Sequence, residues 1–216
     1  MNRNKGNFHT TCVIVAHPDD ETLWAGGTML MHPAWTFEVY ALCRASDPDR
    51  ALKFRRALSV FGAVGNMADL DDGTEQRPLS PVEVQQTVLE FVGQRHFDCV
   101  ITHGPAGEYT RHKRHEEISK AVVSLWNGGK IRSGALWLFA YSDGNGKFLP
   151  RAATDSHLMF RMPESVWKEK YLVITDVYGF EPESWEARTT PKIEAFRCFD
   201  SPSNLKKWLK HEGIKT

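Results

Sequence analysis

The sequence predicts an α/β fold, a mostly parallel sheet covered by helices on both faces, in a single domain spanning residues 1–216. Three observations carry this. Short continuous apolar runs, such as residues 11–16 (TCVIVA) and 98–102 (DCVIT), read as strands buried on both faces. Segments of helical spacing separate them, which is the pattern of βαβ units. The chain of 216 residues suits one domain, and no Pro/Ser-rich linker, internal repeat or low-complexity segment divides it.

The elements follow in order. Residues 11–16 form the first strand, and residues 21–31 have helical composition. Residues 36–43 (TFEVYALC) read as a second strand. Across 49–61, Leu52, Phe54, Ala57, Leu58 and Phe61 recur near helical spacing. Residues 81–95 form an amphipathic helix with Ser80 as candidate N-cap and Pro81 in its first position. Residues 98–102 are a strand and 115–126 a helix. Beyond Gly128 the pattern loosens. Residues 135–141 and 171–175 read as strands. Residues 183–199 and 204–211 read as helical, with Pro191 restarting the first of these. Gly144-Asn145-Gly146 marks a turn or hairpin.

Composition narrows the function. Lys plus Arg number 27, as do Asp plus Glu, so the net charge is zero and nothing suggests a nucleic-acid partner. Asn2-Arg3-Asn4-Lys5 is a basic start. The apolar run behind it, residues 12–16, ends at His17, short of the roughly 7–15 residues of a secretory signal. No stretch approaches the roughly 20 apolar residues of a membrane span. Cys12, Cys43, Cys99 and Cys198 lie far apart, as expected of thiols packed as small hydrophobes in a cytoplasmic protein.

The strongest chemical signal is Ala16-His17-Pro18-Asp19-Asp20-Glu21, directly after the first strand. Open parallel sheets bind ligands beyond the carboxyl ends of their strands. Crowding two Asp and a Glu there costs energy unless something positive compensates. A helix dipole supplies a little positive field, and a divalent metal much more. His17 and Asp20 are three apart, so one turn aims both at a single ion, while Asp19 points elsewhere and can face a water. The bland alternative is an Asp pair capping a helix.

A second signal runs from Thr102-His103-Gly104 to His112-Lys113-Arg114-His115, after another buried strand. If His115 joins His17 and Asp20, the set is His2Asp, the open three-ligand pattern of a catalytic zinc. If His112 joins as well, the site closes with four ligands and becomes structural. Taken alone, the two histidines also fit a solvated surface.

With both motifs in view, the chain resembles the PIG-L/LmbE-like N-acetylglucosaminyl deacetylases, a zinc-dependent family. The signature AHPDDE is matched at every position from 16 to 21, and His112 and His115 match the family's His-x-x-His. The resemblance covers roughly residues 11–200. Arg50, ahead of Val60-Phe61-Gly62, matches a substrate-contacting Arg. Lys192-Ile193-Glu194-Ala195-Phe196 resembles a late Lys-x-x-Ala helix. The chain departs from the common His-Pro-Asp-His, with Lys113 and Arg114 in place of Pro and Asp. Tyr109 stands three residues before His112, where two is common.

The resemblance implies a Rossmann-like fold. His17, Asp20 and His115 would hold Zn2+, Asp19 would act as general base, and His112 would face the reacting carbonyl or leaving amine. Arg50 and Tyr109 would contact a small N-acetylated sugar or glycoconjugate. Fe2+ or Co2+ also suits a His2Asp set. Among other residues, Asp71-Asp72-Gly73 reads as a turn, with lining of the pocket as the alternative, His103 as a structural hydrogen-bonding residue and Glu21 as helix N-terminal charge. His157 is a distant candidate for the site, and Trp24, Trp137 and Trp185 are core or sugar-stacking residues. Two other functions compete: a phosphoesterase, which usually gathers two ions about 3.5–4 Å apart, and a non-catalytic sugar-binding domain.

Overall fold

The computed structural model describes residues 8–109 and 112–214; the basic start at residues 2–5 lies outside them. The first half alternates without interruption: β1 (Thr10–Val15), α1 (Asp20–Met31), β2 (Thr36–Cys43), α2 (Pro48–Phe61), β3 (Val64–Leu70), α3 (Pro81–Val92), β4 (His96–Thr102), α4 (Lys113–Asn127) and β5 (Arg132–Phe139). The second half is more broken: β6 (Tyr141–Ser142), β7 (Arg151–Ala152), β8 (Leu158–Arg161), α5 (Glu164–Leu172), a π-helical turn (Val173–Val177), α6 (Trp185–Thr189), β9 (Ile193–Phe199) and α7 (Pro202–His211).

Seven strands form one sheet in the order β3-β2-β1-β4-β5-β9-β8. The five from β3 to β5 are parallel, and β9 and β8 close one edge antiparallel. The chain winds outward from β1 through β2 to β3, then crosses to β4 on the other side of β1. The carboxyl ends of β1 and β4 therefore lie side by side, with Ile14 opposite Thr102. This is the topological switch point at which such sheets bind ligands.

Strand periodicity divides the core in two. Cys12, Ile14 and Ala16 face one layer with α3, α4 and α7, through Val88, Ile118 and Leu205. Val13 and Val15 face the other with α1, α2 and the π-helical turn, through Trp24, Phe54 and Ile174. Both faces of β1 are thus buried, which explains its unbroken apolar run. Local signals set several ends. Asp47 caps α2 through the amides of Asp49 and Arg50, and Gly62 ends it in the left-handed region. Ser80 stands at the N-cap of α3, but its hydroxyl makes no capping bond. All four cysteines are free thiols. No helix among the described residues is long and apolar enough to cross a membrane.

The second half corrects the sequence reading in three places. Residues 171–175 are helical, not a strand. Residues 183–199 hold only the short α6 and then strand β9, so Ile193-Glu194-Ala195-Phe196 is strand rather than the expected late helix. Strand β8 has no counterpart in the reading, and in the first half neither has β3. The 144–146 turn does belong to a hairpin, since β6 pairs antiparallel with β7.

Candidate active site

The tip of β1 delivers His17 and Asp20 within one turn. Asp20 opens α1, and its Oδ2 accepts a hydrogen bond from the His17 amide at 2.8 Å. Asp19, between them, holds a backbone φ of 124°, in the region that favours glycine. Strain of this kind costs of order 1–3 kcal/mol and persists only where the surroundings impose it. Here Glu21 imposes part of it: its Oε2 accepts the Asp19 amide at 3.0 Å. Its Oε1 meanwhile accepts the Tyr178 hydroxyl at 2.7 Å and the Thr22 hydroxyl at 2.6 Å. Glu21 thus stands in the first turn of α1, as the sequence reading has it, and is also a buried brace of the turn.

The tip of β4 delivers the partners. The backbone turns at Gly107, with φ of 72°, a conformation glycine adopts without steric cost. Glu108 then points back under the loop, and α4 begins after His112, placing His115 in its first turn. His115 and His103 are fully buried.

Three donor atoms converge. His17 Nδ1 lies 3.2 Å from Asp20 Oδ2, His115 Nε2 lies 3.2 Å from the same oxygen, and the two nitrogens are 3.4 Å apart. The corners of a tetrahedron with zinc–ligand bonds of about 2.0–2.1 Å lie about 3.3–3.4 Å apart. The triangle therefore has the size of one face of such a site. The His112 ring stands over it, centroids 4.6 Å from His17 and 4.2 Å from His115, and its buried Nδ1 has no hydrogen-bond partner. These residues fit a metal.

Carboxylates back two of the donors, one fully buried and one half-buried. Glu108 Oε2 meets Nδ1 of His115 at 2.6 Å and Nδ1 of His103 at 2.8 Å, and its Oε1 accepts the Gly104 amide at 2.9 Å. On the other side, Asp72 Oδ1 lies 3.3 Å from His17 Nε2, while Oδ2 accepts the Arg44 guanidinium at 2.6 Å. The loop carrying Asp72 is tied to α4 by the two cations that depart from the family pattern. Lys113 donates to the Gln76 carbonyl at 2.6 Å, and buried Arg114 donates to the Arg77 carbonyl at 2.8 Å.

The charges are unequally tuned. Burial raises Asp19 well above the carboxylate range, reinforced by the neighbouring Asp20 charge and only partly offset by His17 and Arg50. Asp20 goes the other way: burial opposes ionisation, but His115, His17 and His103 outweigh it. Burial likewise disfavours the Glu108 anion, yet its two imidazoles hold it at about 2. His115 is raised to about 10, because Asp20 and Glu108 overcome the burial penalty. Burial, then the His115 and His17 charges, lower His112 to about 3. Adjacent groups with opposed shifts are the arrangement acid–base chemistry uses.

The triangle opens into a cleft of about 310 Å3, lined among others by His17, Asp19, Arg44, Arg50, Tyr109, His112 and Trp185. Arg50 lies 3.6 Å from Asp19 Oδ2 and stacks on Phe180 at 4.9 Å. Tyr109 packs edge-on against Trp185, centroids 4.6 Å apart. The seven residues singled out as a site thus meet in one place. His157 does not: its Nδ1 pairs with the Cys198 backbone on the far strand. Trp24 and Trp137 are core, and only Trp185 is both exposed and at the cleft. His103 has the structural bonds expected of it. Asp72 belongs to the site rather than to a mere turn, and Glu108 and Arg44 escaped the sequence reading. Only the position of Glu108 between His103 and the His112–His115 pair hinted at its role.

No family model matches the chain. Solved structures do. One is an N,N'-diacetylchitobiose deacetylase from Pyrococcus horikoshii, with TM-score 0.68 and 15% identity, over 90% of this chain and 85% of that one. A second is the 4-carboxy-2-hydroxymuconate hydratase GalB from Pseudomonas putida, with TM-score 0.60 and 14% identity, over 88% and 95%. A third is the zinc-inhibited form of teicoplanin deacetylase Orf2, with TM-score 0.60 and 13% identity, over 79% and 84%. The first and third are LmbE/PIG-L-type deacetylases. The chain has the α/β fold of the PIG-L/LmbE-like deacetylases.

Proposed function

We propose that this protein is a zinc-dependent N-deacetylase acting on a small acetylated amino sugar or glycoconjugate. The carrying observation is the triangle of His17 Nδ1, Asp20 Oδ2 and His115 Nε2, with edges of 3.2–3.4 Å, at the floor of an open cleft beside Asp19. His17, Asp20 and His115 would hold the ion. A zinc bound there supplies a Lewis acid and water acidified to a pKa of about 7; Fe2+ and Co2+ suit the same donors.

The chain's own residues do the rest. Asp19, its proton affinity raised by burial, takes the proton of the attacking water and passes it to the leaving amine. Help of this kind is typically worth about 10²–10⁴-fold. His112 is neutral at pH 7 and donates an N–H to the carbonyl oxygen as charge grows there, a contribution of about 3 kcal/mol for one such donor. Arg50 steadies Asp19 and reaches substrate hydroxyls, and Tyr109 and Trp185 offer the ring faces on which a sugar packs. The cleft volume lies at the small end of ligand pockets, about 300–1,000 Å3, as a mono- or disaccharide unit requires. Four free thiols suit the reducing cytoplasm.

The phosphoesterase alternative lacks a second site of its own among the described residues. Two further groupings, His17–His112–His115 and Asp20–His103–His115, each reuse two donors of the triangle, and His103 Nε2 already accepts the Ala16 amide at 2.9 Å. The test is a screen of N-acetylated sugars with zinc-loaded protein, scored by acetate. Stoichiometric acetate and free amine are expected. Binding without acetate would favour the sugar-binding alternative, and water addition to an unsaturated acid would move the protein to the hydratase chemistry named for GalB.

A further inference from the structure

The donor triangle leaves one matter open: each imidazole has two nitrogens, and only one of each faces the triangle. We infer that the carboxylates of buried Glu108 and half-buried Asp72 select the ligating nitrogen, so that His115 binds through Nε2 and His17 through Nδ1. This rests on the metal reading proposed above.

For His115 the proton placement follows step by step. The Ala16 amide donates to His103 Nε2 at 2.9 Å, so that nitrogen carries a lone pair and the His103 proton sits on Nδ1. His103 Nδ1–H therefore donates to Glu108 Oε2, at 2.8 Å. Glu108 cannot rotate away, because its Oε1 accepts the Gly104 amide at 2.9 Å. A carboxylate only accepts, so His115, 2.6 Å from the same Oε2, must present Nδ1–H to it. Its Nε2 lone pair is left for the triangle. The Ser119 hydroxyl donates to the His103 carbonyl at 2.8 Å and fixes the start of the relay.

For His17 the logic is shorter. Its Nε2 is buried without a hydrogen bond, and the nearest anion is Asp72 Oδ1 at 3.3 Å. Asp72 is held by Gln76 Nε2 at 3.0 Å and by Arg44 Nε at 2.9 Å. A proton on Nε2 faces that carboxylate and turns the Nδ1 lone pair toward the triangle; Nδ1 now contacts Asp20 Oδ2 at 3.2 Å, a contact that an ion held between them would replace. Carboxylates behind ligating histidines typically contribute about 10–100-fold in metal affinity. Glu108 and Asp72 are thus positioning residues, acting through the histidines.

The test uses wild-type protein with isotope-labelled histidine, loaded with NMR-active cadmium. One-bond nitrogen–cadmium coupling is expected at His115 Nε2 and His17 Nδ1. Coupling at His115 Nδ1 or His17 Nε2 overturns the inference and leaves the metal reading standing. No cadmium or zinc binding at all removes that reading, and the inference with it. Glu108→Gln then tests selection. Its amide nitrogen must face either the Gly104 N–H or the two imidazole N–H groups, so one donor meets a donor. Zinc affinity by chelator competition is expected to fall about 10–100-fold with the circular dichroism spectrum unchanged. Affinity equal to wild type overturns the role of Glu108. Should Glu108→Gln fail to fold, the coupling pattern of the wild type alone decides.

Discussion

The two halves of the chain make different kinds of contribution to one cleft. The parallel half, from β1 to β5, supplies every atom of the donor triangle, both carboxylates behind it, and Asp19. The later half supplies no donor. It supplies Phe180 under Arg50, Trp185 against Tyr109, and Glu194, whose buried carboxylate grips α1 from β9. Reactive groups come from loops between parallel strands, where the sheet topology forces two strand tips together. Walls and braces come from an irregular segment laid across them.

The sharpest way to break that division is at Asp19. Asp19→Asn keeps the side-chain shape and removes the base. The expected result is a kcat lower by about 10²–10⁴-fold, with zinc stoichiometry and KM close to wild type. Turnover near wild type in acetate-release assays would take Asp19 out of the reaction, and the parallel half would then be a metal holder without a base.

The converse test is to break a brace. Lys170 and Glu194 are both fully buried and pair at 2.8 Å, and Glu194 also accepts the Gly27 and Thr28 amides at 2.7 Å each. Lys170→Met strips the cation from a buried anion, a change that typically costs about 3–5 kcal/mol. Denaturant midpoints should show that loss, and adding Glu194→Gln should recover part of it. A single variant as stable as wild type would mean the pair does not hold the later half to α1.

The same division decided what the sequence disclosed. In the parallel half, strands buried on both faces read as unbroken apolar runs. His17, Asp19 and Asp20 fall within four consecutive residues, so chemistry and position appear together. Edge strand β3 was not visible, because its solvent-facing run Val64-Gly65-Asn66 carries no apolar signature. In the later half, residues 193–199 alternate weakly, and Glu194 is a charge at a buried position. Only a lysine arriving from α5 makes that position intelligible, and no local pattern encodes it. Residues 171–175 are apolar and β-branched, which favours strand, but packing against α2 and α1 imposes a helical turn. Asp72 and Glu108 were hidden for a related reason: their roles depend on histidines 55 and 7 positions away.

A finer measurement concerns pH within the parallel half. In metal-free protein His115 is raised to about 10, above the usual value near 6.5. It therefore holds its proton at pH 7 and must release it to bind a metal. Zinc affinity is expected to rise about tenfold per pH unit between pH 7 and 9 and to flatten as pH passes the raised value. Titration calorimetry in buffers of different ionisation enthalpy should show about one proton released from this residue. The same group stabilises the metal-free fold by charge, fully below pH 6.5 and progressively less toward pH 10. An affinity flat from pH 7 to 9 would mean that His115 is already neutral, and that Glu108 and Asp20 do not hold its proton.

The smallest expected effect falls on the wall. Among the described residues, Trp185 is the one large aromatic that is both 36% exposed and at the cleft, and its ring is already held edge-on by Tyr109. A sugar face packed on it gains contact in the bound substrate and in the transition state alike. Such uniform binding lowers KM without changing kcat. An aromatic contact contributes about 0.5–1.5 kcal/mol, so Trp185→Ala should raise KM about 2–12-fold and leave kcat nearly unchanged. If kcat falls instead while KM holds, Trp185 acts on the reacting groups, through Tyr109 and His112, and the later half is part of the chemistry rather than its wall.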